Sequence, residues 1–508
     1  MKKQAIKYPD STYRGFDKML MSIKNFGPID EGRIDLSKKF YLFVGHNNSG
    51  KTYVAQLLWG IFHPSTRRKF FDSLKKNGNS YIKADSDSSY HITDESIRNL
   101  LKDYSDFIVN ETIPEIFNLE KDHFLTENFS LEFLPDNDSE QIRKKRIVNK
   151  SIVSVVMDEV SQKEFEIFEA VKEEDSLTVE IKKKNLDKVF FDYVPKIRFY
   201  KDFKEEREAE IAVSKILLQG MLPEEKPFYL PASRLFYPIF YEYIFRYERD
   251  RREEISNHIL KALSSKETLD PETAYLYKSR YTIPMNVLMN KIYDLNEEKS
   301  DDISGHYEEF CEKIEEIIGG RIQFKRREGL APAEFYLELG KNKNLEMYLS
   351  SSSVNQLTSL YIFFKHWAED GSNFLIIDEP EENLHPGNQV KLLNLLAEFA
   401  NQKDNRVLLT THSTLLSQAM NNHFYLGILK ERGVDINRLI EKEGLDISPE
   451  TYLHNEDLGV YFFDGKHIHS YEAGEYGILF NDFRREEIKI QNIAEILTGE
   501  IYYQDSSE

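Results

Sequence analysis

Two hydrophobic periods divide the chain. Phe40-Tyr41-Leu42-Phe43-Val44, Asn373-Phe374-Leu375-Ile376-Ile377 and Arg406-Val407-Leu408-Leu409-Thr410 are short, nearly continuous apolar runs. Alternation disappears when neither face of a strand meets water, so these runs predict a sheet buried on both sides. Helix-period stretches lie around them, from Lys51 to about Phe62, from about Ser353 to Glu369 and from Val390 to Asn401. Strands and helices in alternation predict an α/β layer architecture. Lys18 to Ile23 reads as the entry to a further strand.

Between 130 and 200 the period falls toward 2. Ser130-Leu131-Glu132-Phe133-Leu134, Ile152-Val153-Ser154-Val155-Val156, Glu164-Phe165-Glu166-Ile167-Phe168 and Leu177-Thr178-Val179-Glu180-Ile181 predict antiparallel strands with one wet face. Residues 65 to 125 read as charged helices, with the polar stretch Ala84 to His91 as a surface loop. Phe228-Tyr229-Leu230-Pro231-Ala232-Ser233-Arg234 predicts a short strand with a sharp end. Residues 236 to 318 read as helices closed by Gly319-Gly320, a pair suited to a left-handed cap. Residues 321 to 349 return to short strands. No repeat of 20 to 50 residues is visible. The first 60 and last 190 residues are therefore expected to share one sheet, with the middle inserted. The segments expected are 1–64, 65–225 (a helical and β lobe), 226–320 (one strand plus a helical insertion), 321–430 and an α/β tail, 431–508.

Composition narrows the class. A 508-residue chain that is 40% hydrophobic and 13% aromatic is globular rather than disordered. No apolar run reaches 18 residues, so no membrane helix is predicted, and the charged first fifteen residues lead into no apolar core of a secretory signal. The single cysteine, Cys311, excludes an internal disulfide or a four-cysteine zinc site and predicts a reducing cytoplasm. A net charge of −20 argues against general wrapping of a polyanion. Three basic clusters remain, Arg67-Arg68-Lys69, Arg143-Lys144-Lys145-Arg146 and Lys182-Lys183-Lys184, either a local DNA track or dispersed surface charge. Tyr229, Phe236, Tyr237, Phe240, Tyr241, Tyr243 and Phe245 form an aromatic patch that suits a core or partner interface better than a base-stacking platform.

Three strand ends carry the chemistry. Gly45-His46-Asn47-Asn48-Ser49-Gly50-Lys51-Thr52 fits G-x-x-x-x-G-K-[ST] between an apolar strand and a helix. The glycines let backbone N–H groups converge on phosphate oxygens, and the helix start adds a positive dipole end. Lys51 would reach the β- and γ-phosphates and Thr52 would hold Mg²⁺. Phe374-Leu375-Ile376-Ile377-Asp378-Glu379-Pro380 sets two carboxylates at the sheet edge, Asp378 for Mg²⁺ and Glu379 to polarise the attacking water. Leu408-Leu409-Thr410-Thr411-His412-Ser413 places a histidine where it can sense the γ-phosphate.

Glycine loop, Asp-Glu strand and histidine strand, in that order, resemble an ABC-type ATPase head of the kind found in SMC-like and overcoming-lysogenization-defect proteins. The resemblance covers 18–62 and roughly 321–425. It implies a P-loop sheet with helices, carrying the middle of the chain as large inserts, and it assigns 1–64 and 321–430 to the head. The family's Ser-Gly-Gly signature is matched in position by Ser351-Ser352-Ser353, so two β-carbons stand where the family has none. The resemblance implies a sandwich homodimer, or a higher oligomer, with ATP between the glycine loop of one copy and Ser351 of the other. Phe374 to Pro386 looks most like stand-alone bacterial ATPases of restriction, anti-phage and toxin–antitoxin operons. There Asn383 and His385 would sit in the loop that crosses to the partner head. Arg234, in Pro231-Ala232-Ser233-Arg234, would read a phosphate or the partner, or else form a structural salt bridge.

The expected activity is slow ATP hydrolysis with ATP and Mg²⁺, in a nucleotide-gated sensor or scaffold that controls a separate nuclease or toxin in anti-phage defence. The alternative is an SMC-like ATPase that binds DNA directly. A transporter's nucleotide-binding subunit ranks below both because such subunits lack inserts of this size. Partners expected are a second copy, the effector, and DNA or a phage component, with no membrane. The chain ends 95 residues after Ser413, and the tail acids Glu450, Glu456, Asp457, Asp464, Glu472, Glu475 and Asp482 offer no spaced pair after an apolar strand, so no nuclease is expected in this chain.

Overall fold

The computed structural model describes residues 6–7, 19–77, 83–86, 89–92, 94–119, 123, 125–135, 147–156, 162–173, 176–181, 211, 214–215, 217–219, 221–222, 225–265, 281–295, 305–325, 334–340, 343–471, 474 and 477–505. Two compact units emerge, one comprising Met1–Ser37 and Gln56–Pro227, the other Lys38–Ala55 and Phe228–Glu508.

The second unit carries the three motifs. Its elements, in chain order, are β1 (Phe40–Gly45), α1 (Lys51–Phe62, which runs on into the first unit), β2 (Lys226–Leu230), α2 (Glu308–Ile318), α3 (Ser352–Ile362), β3 (Asn373–Asp378), α4 (Pro386–Ala400), β4 (Arg406–Thr411), α5 (Thr414–Glu431), β5 (Leu458–Phe463) and β6 (His467–Ser470). The strands lie in the order β2-β3-β4-β1-β5-β6. β3 with β4, β4 with β1, and β1 with β5 are parallel, and β6 turns back antiparallel on β5. Every residue of β1 and β3 is buried, as their unbroken apolar runs require.

Register does the positioning. Asp378 pairs with Thr410, and Thr411 pairs with Val44. Parallel strands in register deliver their carboxyl ends to one edge, so the glycine loop, Asp378-Glu379 and His412 emerge side by side. One face of the sheet is closed by α2 and α4 through an aromatic cluster. Phe310 stacks on Phe364 at 5.2 Å between centroids, and Phe364 meets Phe399 edge-on at 5.1 Å. A short three-stranded antiparallel sheet, Arg321–Lys325, Glu334–Glu338 and Asn344–Glu346, leads into α3.

In the first unit, Met19–Phe26 pairs with both Ile29–Asp35 and Ser130–Pro135. Ile147–Val156, Gln162–Glu173 and Ser176–Ile181 form the expected antiparallel ladder. The stretch Ala84 to His91 is not a loop. It forms a bulged hairpin, Lys83–Ser86 with Ser89–Ile92, whose second strand pairs with Leu177 to Glu180. A partner so distant in sequence overrides the polar local composition.

Other departures have local causes. α4 begins at Pro386 rather than Val390, because proline suits the first helical position and the His385 ring caps Gly387 N at 3.3 Å. α3 ends at Ile362, where a π turn, Phe363–Trp367, takes over. Within the α/β tail expected at 431–508 no particular strand was placed; β5 extends the parallel sheet beside β1. Gly319 caps α2 at φ +77°, as its position suggested. Arg67 is buried, so that basic cluster is not a surface triplet, and Lys69 pairs with Glu115. The clusters 143–146 and 182–184 lie outside the described residues. The aromatic patch splits, with Tyr229 and Tyr237 buried but Phe236, Phe240 and Tyr243 exposed.

A buried polar network pins the opposite ends of β3 and β4. Asn405 Oδ1 accepts from Asn373 N at 3.1 Å and Asn373 Nδ2 at 2.8 Å, while Asn405 Nδ2 donates to Tyr307 Oη at 2.9 Å. Asn405→Ala strands these groups in the core. We expect a loss of about 2–4 kcal/mol, since each buried unpaired group costs roughly 1–3 kcal/mol, seen as a lowered thermal midpoint. An unchanged midpoint would count against the network.

Candidate functional site

The glycine loop is shaped by three left-handed positions, Gly45 at φ +146°, Asn48 at +57° and Gly50 at +95°. At Gly45 a β-carbon would lie 2.1 Å from the Phe463 carbonyl oxygen, so no larger residue fits between β1 and β5. Asn47 and Asn48 are exposed, whereas Ser49 is buried, and its Oγ has no partner among the described residues.

Lys51 turns inward. Its Nζ donates to Gly45 O at 3.2 Å, to His46 O at 2.9 Å and to His412 Nε2 at 3.0 Å. A ring nitrogen that accepts from an ammonium must be unprotonated. His412 is indeed pushed down to about 4, by burial first and then by the Lys51 charge. Lys51 falls to about 8 because burial outweighs the attraction of Glu379, Asp378 and Glu381.

Asp378 is buried. Its Oδ1 accepts from Thr410 Oγ1 at 2.7 Å and its Oδ2 from Tyr229 Oη at 2.6 Å. Burial raises its pKa, while hydrogen bonds from Tyr229, Thr410 and Thr52 and the Arg234 charge oppose the rise. Thr52, itself exposed, thus meets the carboxylate across the two motifs.

Glu379 leaves the strand at φ +46°, a left-handed turn that costs a non-glycine residue about 1 kcal/mol. Its N–H donates to Thr410 O at 3.0 Å. Its Oε1 lies 3.6 Å from His412 Nε2, and its side chain is partly open to solvent. Burial first, then the neighbouring charges of Glu381, Glu382 and Asp378, raise its pKa against the pull of Lys51.

Two residues proved more consequential than sequence suggested. Glu381 Oε1 accepts from Thr411 Oγ1 at 2.5 Å, His412 N at 2.9 Å and Ser413 N at 3.1 Å, fixing the turn that presents His412. The run of acids after Asp378 was its only sequence signal. Arg234 is 2% exposed, and its guanidinium faces backbone carbonyls. Nη1 donates to Pro231 O at 3.1 Å and Asp378 O at 2.6 Å, and Nη2 to Glu379 O at 3.1 Å. With its amide oxygen turned toward Arg234, Gln356 of α3 accepts from both nitrogens at 3.2 and 2.7 Å. Burial pushes Arg234 down to about 10. Its hydrogen bonds thus go to backbone carbonyls and an amide oxygen, with the Glu381 and Asp378 charges nearby.

The serine triplet opens α3. Ser351 caps α3 through Oγ, which accepts from Val354 N at 3.4 Å and lies 2.8 Å from Ser353 Oγ. Ser351 and Ser352 are exposed, Ser353 half-buried. Asn383, at φ +61°, and His385 are also exposed.

Hydroxyl and carboxylate oxygens are the donor set a hard cation such as Mg²⁺ takes. Thr52 and Asp378 already meet, and the unpartnered Ser49 Oγ lies in the same loop, so the residues present fit such an ion.

Comparison with known proteins bears on this cluster. The family model described as an AAA ATPase domain matches residues 19–416. No curated protein matches the sequence. Among solved structures, an Smc head domain with an extended coiled coil bound to the C-terminal domain of ScpA, from Pyrococcus furiosus, is 11% identical, with 94% of this chain and 99% of that one covered and a TM-score of 0.31. An SmcHead bound to the C-winged helix domain of ScpA is 12% identical over 80% and 92%, with a TM-score of 0.30. The SMC head domain from Thermotoga maritima is 12% identical over 90% and 99%, with a TM-score of 0.27.

The Lys51 environment gives a pH prediction. Phosphate is attracted by the protonated ammonium, whose pKa in the free protein is about 8. Above that pH the lysine must gain a proton on binding an anion, so affinity falls as pH rises through about 8 and is flat below it. Calorimetric titration with ATP in buffers of different ionisation enthalpy should show proton uptake above pH 8. Affinity that stays level to about pH 9.5 would contradict it.

Proposed function

Since the chain belongs to the AAA ATPase domain family, we propose that it hydrolyses ATP at the edge of the parallel sheet and uses the bound nucleotide to gate a partner. The observation that carries the reading is the convergence of three distant segments. Lys51 Nζ lies 3.0 Å from His412 Nε2, and that nitrogen lies 3.6 Å from Glu379.

The residues divide the work by their chemistry. Backbone N–H groups of the Gly45–Thr52 loop would cradle phosphate oxygens, with Asn47, Asn48, Ser49 and Gly50 forming the turn. Lys51 would exchange the carbonyls of Gly45 and His46 for the β- and γ-phosphates. Thr52 and Asp378 would hold Mg²⁺, which when bound supplies charge neutralisation for the phosphates. Glu379, with its raised pKa and access to solvent, would take a proton from the attacking water. Neutral His412 offers a hydrogen bond that would report whether a γ-phosphate is present.

The proposal extends to a sandwich dimer in which Ser351, Ser352 and Ser353 of one copy face the nucleotide of the other. Support comes from the start of α3, where Ser351 and Ser352 are exposed to solvent. Ligand bound between two copies acts through differential affinity for closed over open states. The resemblance of 374–386 to stand-alone defence ATPases favours a sensor or scaffold that holds a separate nuclease or toxin. Among the described residues no helix is long and apolar enough to cross a membrane.

Lys51→Ala is expected to abolish ATP binding in equilibrium dialysis. Glu379→Gln should retain ATP and lower turnover by about a hundredfold or more, with the trapped complex running as a dimer in light scattering. Turnover unchanged in Glu379→Gln removes that residue from its role. Tight, salt-sensitive binding of duplex DNA by the chain alone, with turnover stimulated by DNA, would replace the sensor reading by a DNA-acting one.

A further inference from the structure

The turn between β5 and β6 carries a cluster outside the nucleotide site. Asp464, His467 and His469 each bring a ligand atom within 4.8 Å of the others. Asp464 Oδ2 lies 2.9 Å from His469 Nε2 and 3.5 Å from His467 Nδ1. All three side chains reach solvent, at 31%, 49% and 55% exposure, so an ion can enter without opening the fold.

Local sequence explains the arrangement. Residues two apart on a strand share a face, so His467 and His469 project together while Ile468 between them is buried. Gly465 at φ +103° makes the reversal, and the other carboxylate oxygen, Asp464 Oδ1, accepts from Lys466 N at 2.7 Å and His467 N at 2.6 Å. The carboxylate is thus fixed by its backbone before any ligand arrives, with Oδ2 left toward the two rings. The His469 ring is further held against Phe462, stacked at 6.5 Å between centroids.

We propose that Asp464, His467 and His469 form a binding site for a divalent transition-metal ion of the Zn²⁺ type, with one coordination position open to water. Tetrahedral zinc with bonds of about 2.0–2.1 Å spaces its ligands about 3.3 Å apart. The observed 2.9 and 3.5 Å bracket that edge, and the ligand atoms of His467 and His469 lie within 4.8 Å of each other. Imidazole nitrogen selects Zn²⁺, Ni²⁺ or Cu²⁺ over Mg²⁺, which prefers oxygen. The site is therefore chemically distinct from the Thr52–Asp378 pair. It adjoins that pair's scaffold, because Asp464 follows Phe463, whose carbonyl accepts from His46 N at 3.3 Å and pairs in register with Gly45. An ion here would clip together the hairpin that backs the glycine loop.

The test uses the untagged full chain stripped of metal by chelator. Titration with Zn²⁺ by calorimetry, and with Co²⁺ by visible absorption, should give one equivalent per chain that excess Mg²⁺ does not displace. His467→Ala and His469→Ala should each weaken binding by about tenfold or more, and Asp378→Asn, which removes a carboxylate from the nucleotide site, should bind Zn²⁺ as the unaltered chain does. Both histidines are exposed, so the metal-free melting temperature should hold. If one variant melts early, the other decides. No saturable binding by the unaltered chain, or affinity retained when both histidines are replaced, overturns the proposal. Loss of binding in Asp378→Asn would assign the metal to the nucleotide site and equally overturn it.

Discussion

A carboxylate taken almost wholly out of water at the end of β3 constrains everything around it. Asp378 cannot stay ionised there unless its oxygens are paired, and burial alone drives it toward the neutral acid. The fold answers from three directions. Tyr229 reaches in from β2, Thr410 from β4 and Thr52 from the start of α1. Each is held by a different strand connection, so the site assembles only when β1, β2, β3 and β4 lie in their order. The parallel register is thus a condition of the chemistry as well as of the core.

Arg234 ties the same point to α3. Its guanidinium takes the carbonyls of Asp378 and Glu379 on one side and Gln356 on the other, and its own carbonyl accepts from Ser359 Oγ at 3.0 Å. A buried cation desolvated to this degree is tolerable only when its donors are all engaged. The geometry makes the start of α3 and the turn at Glu379 one mechanical piece. In the proposed dimer, a nucleotide pulling on the serines of one copy would therefore be felt at that copy's own Glu379. This coupling needs no long pathway, since one side chain spans it.

Much of this was legible because strand ends are written locally. The apolar runs at 40–44, 374–377 and 407–409 announced strands buried on both faces, and the residues after each were the chemical ones. β5 escaped because Leu458 to Phe463 is flanked by polar turns and lies far beyond the motifs, so its place beside β1 is set by tertiary pairing alone. The hairpin at 83–92 escaped for the same reason. Arg234 was visible as a residue but not as a role, because burial is invisible when its partners are backbone carbonyls. Asp464 was seen only as one of several tail acids. A search for paired carboxylates passes over a carboxylate whose companions are imidazoles two and four residues apart from the turn.

The alignment of His412 follows from a division of labour between two acids. Glu381 spends one oxygen on the backbone of His412 and Ser413 and on the Thr411 hydroxyl, which leaves the histidine ring no freedom at its base. Glu379 keeps its carboxylate toward the ring and solvent because the left-handed turn and the Thr410 carbonyl hold its backbone. Exchanging the two would bury the proposed proton acceptor and loosen the turn that presents His412. Asp378, Glu379 and Glu381 thus meet different demands within four residues: a charge to be enclosed, a carboxylate left open to solvent, and a turn to be fastened.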